Sequence, residues 1–293
     1  MPPRADPLDA DLILDFYDRN ARDLPWRRPD ATPWAVLVSE VMLQQTPVTR
    51  VLPVYREWVK RWPAPADLAG EPAGEAIRAW GRLGYPRRAL RLHAAAGVIT
   101  AEHGGTVPAT VEELLKLPGI GDYTARAVAA FAFGARVPVV DTNVRRVLSR
   151  AVRGVDEPRA SATAADRLEM CEYLPDDPAT AARFSVAVME LGALACTATR
   201  PDCASCPLSG RCRWFGSGAI RGAATRPAQA WHGTDRQVRG LMMAMFRNAG
   251  AVVAEDRLVR LSDDPDQGVR CLRSLLADGL AVEVADRVYA LPG

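Results

Sequence analysis

The 293-residue chain lacks a long apolar stretch, because its longest run without a charge or a proline, residues 92–101, is ten residues long. A membrane-spanning helix needs about 20 apolar residues, so the sequence predicts none. The N-terminus also lacks the basic start and unbroken apolar run of a secretory signal, since acidic residues precede and interrupt its first apolar stretch. We therefore expect an intracellular, cytoplasmic protein without a membrane partner, nucleoid-associated if it is bacterial.

Lysine is nearly absent, with Lys60 and Lys116 the only two among 37 basic residues. The 35 acidic residues leave a net charge of +2, so total charge alone does not predict a polyanionic partner. An apolar content of 48% with 25% charged residues is typical of a globular chain with a sizeable core. The arginines predict two local basic patches, in segments without acidic residues: Arg82, Arg87, Arg88 and Arg91, and Arg145, Arg146, Arg150 and Arg153.

Strand-like alternation is also nearly absent from the first two hundred residues, where apolar residues recur three and four positions apart. This pattern predicts an all-α region over residues 1–216. Its clearest helical segments are residues 12–17, 34–43, 76–80 and 124–133.

The last part of the chain has a different pattern. Residues 217–233 contain glycine, alanine, arginine and proline without periodicity, which predicts a linker. Residues 234–293 predict a small winged-helix-like α+β module with helices at 235–248 and 267–276 and strands at 282–284 and 288–291. From Thr234 onward there are eight basic and nine acidic side chains, so nucleic-acid contact and a protein-docking or stabilising role both remain open.

Four of the six cysteines fall within seventeen residues, with the spacing C-x6-C-x2-C-x5-C. Disulfides are disfavoured inside cells, so the cluster indicates metal ligands, and four thiolates suit either structural zinc or an iron-sulfur cluster. Because four protein ligands leave no open position, we expect the centre to hold a loop together rather than to catalyse hydrolysis. The ligands would be Cys196, Cys203, Cys206 and Cys212.

A helix-hairpin-helix pattern is indicated at residues 117–124, LPGIGDYT, between two helical stretches at 111–116 and 124–133. We expect Gly119 and Gly121 to permit positive φ and close backbone approach. The amides at the start of the following helix would then bind a DNA phosphate without a basic side chain.

Two acidic residues have contrasting settings. Glu40 follows Val36 and Leu37 by one helical turn, and burial on that apolar face would raise its pKa and allow it to act as a proton donor. Asp141 follows an apolar run and precedes a helical stretch, which places it at a helix cap, where the helix dipole would lower its pKa. One protonated and one ionised carboxyl group is the arrangement that cleaves glycosidic bonds.

With these features in this order, the chain resembles the helix-hairpin-helix DNA glycosylases, their iron-sulfur branch, and within it the MutY-type adenine DNA glycosylases. The resemblance covers roughly residues 10–215, and the cysteine spacing is similar to the family's [4Fe-4S] signature. The segment SEVMLQQT is highly specific to the adenine branch. The matching segments are residues 24–27 (LPWR), 39–46 (SEVMLQQT), 81–85 (GRLGY), 117–121 (LPGIG), 140–147 (VDTNVRRV) and 189–193 (MELGA).

This resemblance implies a helix-hairpin-helix DNA glycosylase fold with a [4Fe-4S] cluster loop at residues 196–212. It also implies a monomeric enzyme of base excision repair that removes adenine mispaired with 8-oxoguanine or guanine in double-stranded DNA. Glu40 matches the acid that protonates the adenine ring, and Asp141 matches the carboxylate that stabilises the oxocarbenium-like sugar. Gln45 and Tyr85 match side chains that enter the stack around the estranged base. Further site residues implied by the matching motifs are Tyr123 and Asn143 near the catalytic acids, and Arg22, Trp26, Arg27, Gln44, Thr46, Leu83, Gly119, Gly121 and Glu190 for substrate or DNA binding.

The related endonuclease III branch carries a lysine nucleophile in the hairpin, where this chain has Tyr123. Without that amine no Schiff base forms there, so we predict a monofunctional glycosylase. Typical members also carry a C-terminal domain, similar to nucleotide pyrophosphohydrolases, that reads 8-oxoguanine. The 77 residues after Gly216 are too few for it and have another pattern, which leaves the preference between 8-oxoguanine and guanine open. Two other hypotheses remain: a thymine (T:G) mismatch glycosylase of the same fold, and a non-catalytic DNA-binding or redox-sensing iron-sulfur protein.

Overall fold

The computed structural model of the protein describes residues 6–156, 163–220, 231–249 and 252–293. Across these residues the chain is mainly helical until the C-terminal module, which confirms the all-α prediction for that region. In the described part, no helix combines the length and the apolar character that crossing a membrane requires. The helices before the module are α1 (Ala10–Asn20), α2 (Pro33–Leu43), α3 (Val48–Arg61), α4 (Pro65–Ala69), α5 (Ala73–Trp80), α6 (Arg87–Glu102), α7 (Val111–Leu114), α8 (Asp122–Phe133), α9 (Thr142–Val147), α10 (Ala164–Glu172), α11 (Pro178–Leu194) and α12 (Arg213–Gly216).

The chain divides into two compact units. The first comprises Met1–Leu37, Ala109–Leu115 and Gly121–Thr225, and the second comprises Val38–Pro108, Lys116–Ile120 and Arg226–Gly293. All four helical segments predicted from periodicity lie within α-helices. Most of the predicted linker, residues 221–230, lies outside the described residues.

The core of the first unit surrounds α11, whose buried side chains include Phe184, Val188 and Leu191. Helix α11 begins at a proline, and Asp177 caps it by accepting a hydrogen bond from Thr180 N at 2.8 Å. A 3-10 turn at Pro25–Arg27 and a π-helical stretch at Leu148–Arg153, which continues α9, also belong to this unit.

In the second unit, three tryptophans form an aromatic cluster. The rings of Trp58 and Trp62 have centroids 4.7 Å apart and those of Trp58 and Trp80 are 5.6 Å apart, both in edge-to-face geometry. Edge-to-face pairs match the positive ring edge to the negative face and add to the apolar burial. This cluster joins α3 to α5, and Trp80 Nε1 donates a 2.9 Å hydrogen bond to Gly84 O in the loop that follows α5.

The C-terminal module contains the two predicted helices and the predicted hairpin, together with a short strand and a short helix that the sequence pattern did not reveal. Its elements are α13 (Asp235–Ala249), β1 (Val253–Ala254), α14 (Glu255–Val259), α15 (Pro265–Ala277), β2 (Val282–Ala285) and β3 (Val288–Ala290). The sheet is antiparallel in the order β1-β3-β2. A two-residue strand is too short to produce a detectable alternation, which explains why β1 was missed.

The module packs within the second unit rather than as a separate body. Gly74 N, at the start of α5, donates a 2.7 Å hydrogen bond to Pro292 O, and a Cβ at Gly74 would lie 2.5 Å from that oxygen. Arg87 forms a 3.2 Å ion pair with Asp278. Residues of the module therefore contact α5 and α6 directly.

Candidate functional site

Glu40 lies in the last turns of α2 and is 5% exposed. Val36 and Leu37, one turn earlier on the same helix, are buried as expected. The helix ends at Leu43, as the predicted segment does, and Gln44 lies beyond it. The chain turns there because Thr46 N donates to Leu43 O and Gln45 adopts a left-handed φ of 54°.

The predicted DNA-contacting residues of the second unit lie on two loops that touch each other. Thr46 Oγ1 is within hydrogen-bond distance of Gln44 O at 3.3 Å and of Leu83 O at 3.4 Å, which joins the 44–46 loop to the 81–85 loop. Gln45 and Tyr85 both have positive φ, a conformation that is strained for a residue with a side chain. Leu83 is buried and Tyr85 is 49% exposed. The structure thus brings together these predicted residues and places the ring of Tyr85 at the surface.

Arg88 holds these loops in place, a role that sequence reasoning missed. Its guanidinium donates hydrogen bonds to Val41 O and Met42 O at 2.9 Å, Gln44 O at 2.6 Å, Thr46 Oγ1 at 2.9 Å and Gly84 O at 3.1 Å. It is buried, and burial lowers its pKa to about 10. The sequence indicated only a basic patch at this arginine, and no spacing pattern distinguishes it from exposed Arg87.

In the hairpin, Gly119 has the expected positive φ of 77°, and a Cβ there would lie 2.5 Å from Arg91 Cβ. Gly121 differs from expectation, because its φ of −98° is open to any residue. It is the N-cap residue of α8 and, as a glycine, has no side chain to accept a capping hydrogen bond. The first hairpin helix is also shorter than predicted, ending at Leu114.

Asp141 caps α9 as predicted. Its Oδ1 accepts a hydrogen bond from Val144 N at 2.7 Å and its Oδ2 accepts one from Asn143 Nδ2 at 2.8 Å. Burial raises the pKa of Asp141, and the hydrogen bonds from Val144 and Asn143 and the charge of Arg146 oppose that rise. The prediction that the helix dipole lowers the pKa of Asp141 is therefore wrong. Loss of hydration on burial raises this pKa by more than the capping hydrogen bonds lower it.

Glu190 on α11 joins two other predicted binding residues. Arg22 donates to its carboxylate through Nε and Nη2, both at 2.7 Å, and through its backbone N at 3.0 Å. Arg27 Nη2 donates to the same carboxylate at 2.9 Å. Burial alone would raise the pKa of Glu190, but these hydrogen bonds and charges outweigh it and lower the pKa to about 2.

The same unit leaves one donor available near this ion-pair cluster. Arg27 Nη1 is buried and has no hydrogen-bond partner among the residues the structure describes. Trp26 is buried beside it in the 3-10 turn. Tyr123, on the first turn of α8, is half-buried and packs with Met189 against the small cluster around Ala127.

The basic patch predicted around Arg145 is wrong as a surface feature, because Arg145, Arg146 and Arg150 are 7%, 7% and 2% exposed. Arg146 donates to Asn143 Oδ1 at 2.8 Å, Gly192 O at 2.6 Å and Cys196 O at 2.5 Å. Asn143 also lies close to Gly192, where a Cβ would be 2.7 Å from Asn143 Cβ. The guanidinium groups of Arg146 and Arg150 donate to backbone carbonyls inside the protein rather than facing solvent.

The four clustered cysteines line one pocket, together with Arg150 and Trp214. Arg150 Nη1 donates to Cys196 Sγ at 3.5 Å, and its guanidinium lies 4.6 Å from the Trp214 ring centroid. Burial raises the pKa of the Cys206 thiol to about 11 and also raises those of Cys203 and Cys212. Among the described residues, no three His, Cys, Asp or Glu side chains are already closed around a metal position. The donor set itself, four thiols on one pocket with a cation beside it, fits a four-thiolate centre.

Comparison with known proteins supports the interpretation of these features. Residues 38–172 match the model of the HhH-GPD superfamily of base excision DNA repair proteins. The chain is 51% identical to the adenine DNA glycosylase of Mycolicibacterium smegmatis over 96% of this chain and 95% of that protein. It is 35% identical to the thymine-DNA glycosylase of Aeropyrum pernix over 72% of this chain and 96% of that protein.

A solved structure of a thermostable thymine-DNA glycosylase has the same fold, with a TM-score of 0.63 and 27% identity over 71% of this chain and 95% of that one. The match to the adenine enzyme is both closer and longer than the match to the thymine enzyme. The chain belongs to the adenine DNA glycosylases, within the HhH-GPD superfamily of base excision DNA repair proteins.

Proposed function

We propose that this protein is a monofunctional DNA glycosylase that hydrolyses the N-glycosidic bond of adenine mispaired with 8-oxoguanine or guanine in double-stranded DNA. The observation that carries the proposal is the burial of Glu40, 5% exposed, in a chain that is 51% identical to an adenine DNA glycosylase. A glutamate in an apolar setting is suited to hold the proton that a leaving base requires.

In the proposed reaction, Glu40 transfers its proton to a ring nitrogen of adenine. The bond between the base and the sugar C1′ then breaks, and its electron pair leaves with the base. Water adds to C1′ and releases a proton, which restores the acid. The protonated base is the better leaving group, so the contribution of Glu40 is general acid catalysis.

Asp141 stabilises the positive charge that develops on the sugar. The hydrogen bonds from Val144 N and Asn143 Nδ2 fix both carboxylate oxygens and favour the ionised form. An oriented carboxylate that does not have to reorganise during the reaction lowers the barrier electrostatically. Asn143 is thus a positioning residue for Asp141.

The flipped adenine would be bound by groups of the first unit. Arg27 Nη1 has no hydrogen-bond partner within the described part of the chain and is suited to donate to a base nitrogen. Glu190 fixes Arg27 and Arg22, while Trp26 and Tyr123 offer aromatic surface. Flipping a base costs a few kcal/mol, least at a mispair, and inserted side chains offset that cost.

On the DNA side, the strained loops carrying Gln45 and Tyr85 present the side chains that would enter the stack. The hairpin at Gly119 and Gly121 would place the first amides of α8 against a phosphate. Gln44, Thr46 and Leu83 shape the loops through the contacts described above. We propose that the enzyme acts as a monomer.

We also propose that Cys196, Cys203, Cys206 and Cys212 hold a [4Fe-4S] cluster. Such a cluster supplies four strong bonds between distant parts of a loop, and its role here is structural. Arg150 places positive charge beside the thiolates, and Arg211 is already paired with Asp9 at 3.0 Å.

The proposal is tested by single-turnover excision on duplexes that contain A:8-oxoguanine, A:G or T:G, with wild-type protein and with Glu40→Gln. We expect alkali-labile sites at adenine in the first two duplexes, and a loss of activity of at least 100-fold in the variant. A half-buried control, Glu75→Gln, keeps wild-type activity. Cleavage of T:G alone would assign the thymine function, and full activity of Glu40→Gln would leave a non-catalytic DNA-binding role.

A further inference from the structure

An arginine of the C-terminal module lies between two surface aromatic rings. The guanidinium carbon of Arg236 is 5.8 Å from the ring centroid of Tyr85 and 5.5 Å from that of Trp231. Both rings are about half exposed, at 49% for Tyr85 and 48% for Trp231. The guanidinium of the module and the indole ring of Trp231, just before the module, therefore extend the surface on which Tyr85 lies.

The position of Tyr85 at this surface is fixed by its backbone conformation and by the buried Arg88. The Tyr85 backbone has a φ of 48°, and the Arg88 guanidinium lies 5.5 Å from the Tyr85 ring centroid. Arg88 in turn is fixed by the carbonyls at the end of α2. The stack of Tyr85, Arg236 and Trp231 thus rests on the same support as the loops of the candidate site.

Two further arginines add positive charge close to this loop. Arg247, at the end of α13, is half-buried, and burial, with a smaller contribution from the charge of Arg82, lowers the pKa of Arg247. Arg50 donates a hydrogen bond to Arg82 O, which fixes the backbone of that residue. Like charges on guanidinium groups repel each other unless an anion lies between or beside them.

The nearby acidic residues already form ion pairs with other arginines. Asp235 pairs with Arg270 at 3.0 Å, and Asp278 pairs with Arg239 at 2.6 Å and with Arg87. Within the ranges that the structure describes, Arg82, Arg236 and Arg247 take part in no ion pair. The module as a whole has one more acidic than basic residue, so this local excess of positive charge reflects how its side chains are arranged.

We propose that Trp231, Arg236 and Arg247, together with Arg82, extend the DNA-contacting surface around Tyr85, so that the C-terminal module binds the duplex backbone beside the mispair. The inference rests on the proposed function. Arg82 and Arg236 are exposed and Arg247 is half-buried; guanidinium groups that solvent reaches bind phosphates, and aromatic rings offer stacking surface to bases or sugars. Of the two roles that the sequence left open for the module, these features favour nucleic-acid contact.

The test is DNA binding by the full-length protein at several salt concentrations, with a duplex containing one A:8-oxoguanine pair. We expect Arg236→Gln and Arg247→Gln each to raise Kd by about 5- to 10-fold and to lower the slope of log Kd against log salt by about one. Trp231→Ala should raise Kd without changing that slope. At saturating protein, the single-turnover excision rate should stay at the wild-type value.

The matched control is Arg260→Gln, which removes the same charge from an arginine of the module that is paired with Asp256. It should leave Kd and the salt slope unchanged. Wild-type Kd and slope in both Arg236→Gln and Arg247→Gln, while adenine is still excised, would overturn the inference and leave the proposed function intact. If the wild-type protein excised no adenine, the proposed function itself would fail. Melting temperatures of all variants within 2 °C of wild type, roughly the resolution that counts as unchanged for a chain of this size, establish that folding is not the cause.

Discussion

At the scale of single residues, we expect different losses of stability when the charge is removed from two glutamates that both pair with arginines. Glu190 is fully buried and its pKa is lowered to about 2, whereas Glu75 pairs with Arg61 and Arg78 where solvent reaches the group. Removing the charge of a buried, paired carboxylate leaves its cationic partners uncompensated. Removing that of a half-exposed carboxylate costs little.

We therefore expect Glu190→Gln to lower the free energy of unfolding at pH 7 by about 3 kcal/mol. Because the folded pKa is depressed, the carboxylate stabilises the fold fully above its unfolded pKa of about 4.5, and this contribution is lost as pH falls toward 2. Urea titrations between pH 2 and 7 should show a steeper decline for wild type than for the variant. Glu75→Gln, as control, should lose less than about 1 kcal/mol, and an equal loss in both variants would contradict the argument.

A second prediction at this scale concerns the hairpin residue Tyr123. A phenol cannot form a Schiff base with the sugar, and the chain has only two lysines, Lys60 and Lys116. Borohydride added during turnover should trap no covalent protein–DNA complex above background. Endonuclease III, treated in parallel, serves as the positive control for the chemistry, and efficient trapping of this protein would refute a monofunctional mechanism.

At the scale of elements, the end of α2 depends on a side chain from α6. Arg88 satisfies carbonyl oxygens that a helix C-terminus leaves without partners, and it fixes the 44–46 and 81–85 loops at the same time. A lysine has a single compact ammonium group and cannot reproduce this fork of donors.

We expect Arg88→Lys to lower the free energy of unfolding by about 3 kcal/mol, since several buried carbonyls lose a charged donor. Arg87→Lys is the matched control, because the neighbouring arginine is 54% exposed in its side chain and pairs only with Asp278 among the described residues. Denaturant titration of both variants gives the comparison. Equal stability of the two would show that the contacts of Arg88 contribute nothing.

The elements also show what the sequence could and could not predict. The apolar periodicity located the helices, and the position of Asp141 between an apolar run and a helical stretch identified it as a cap. Apolar periodicity does not indicate which arginines are buried, so the roles of Arg88 and Arg146 could not be predicted from the sequence. The predicted direction of the pKa shift at Asp141 was wrong. Capping can be read from neighbouring residues, whereas burial depends on packing between elements distant in sequence.

At the scale of the whole molecule, we expect the proposed cluster to contribute to stability through the cysteine loop. Four thiols in one pocket gain binding free energy only when the metal is present, and that free energy adds to folding. Removal of one ligand should therefore affect the entire first unit.

We expect Cys206→Ser to lose bound iron and the broad visible absorbance of a cluster, and to melt several degrees lower than wild type. Cys171→Ser, a cysteine outside the pocket, should retain both iron and absorbance. Elemental analysis measures the bound iron, and the visible spectrum measures the absorbance of the cluster. One zinc atom per chain and a colourless wild-type protein would identify the other four-thiolate centre.

Gly192 on α11 shows how an absent side chain can be essential. A Cβ there would come within 2.7 Å of Asn143 Cβ and 2.8 Å of Asn143 O, and Asn143 is the residue that orients Asp141. A single extra methyl group would have to displace that backbone, and the carboxylate with it. An inactivating lesion could thus arise at a position with no reactive atom of its own, and a mutational survey that inspects only acids, bases and aromatics would overlook it.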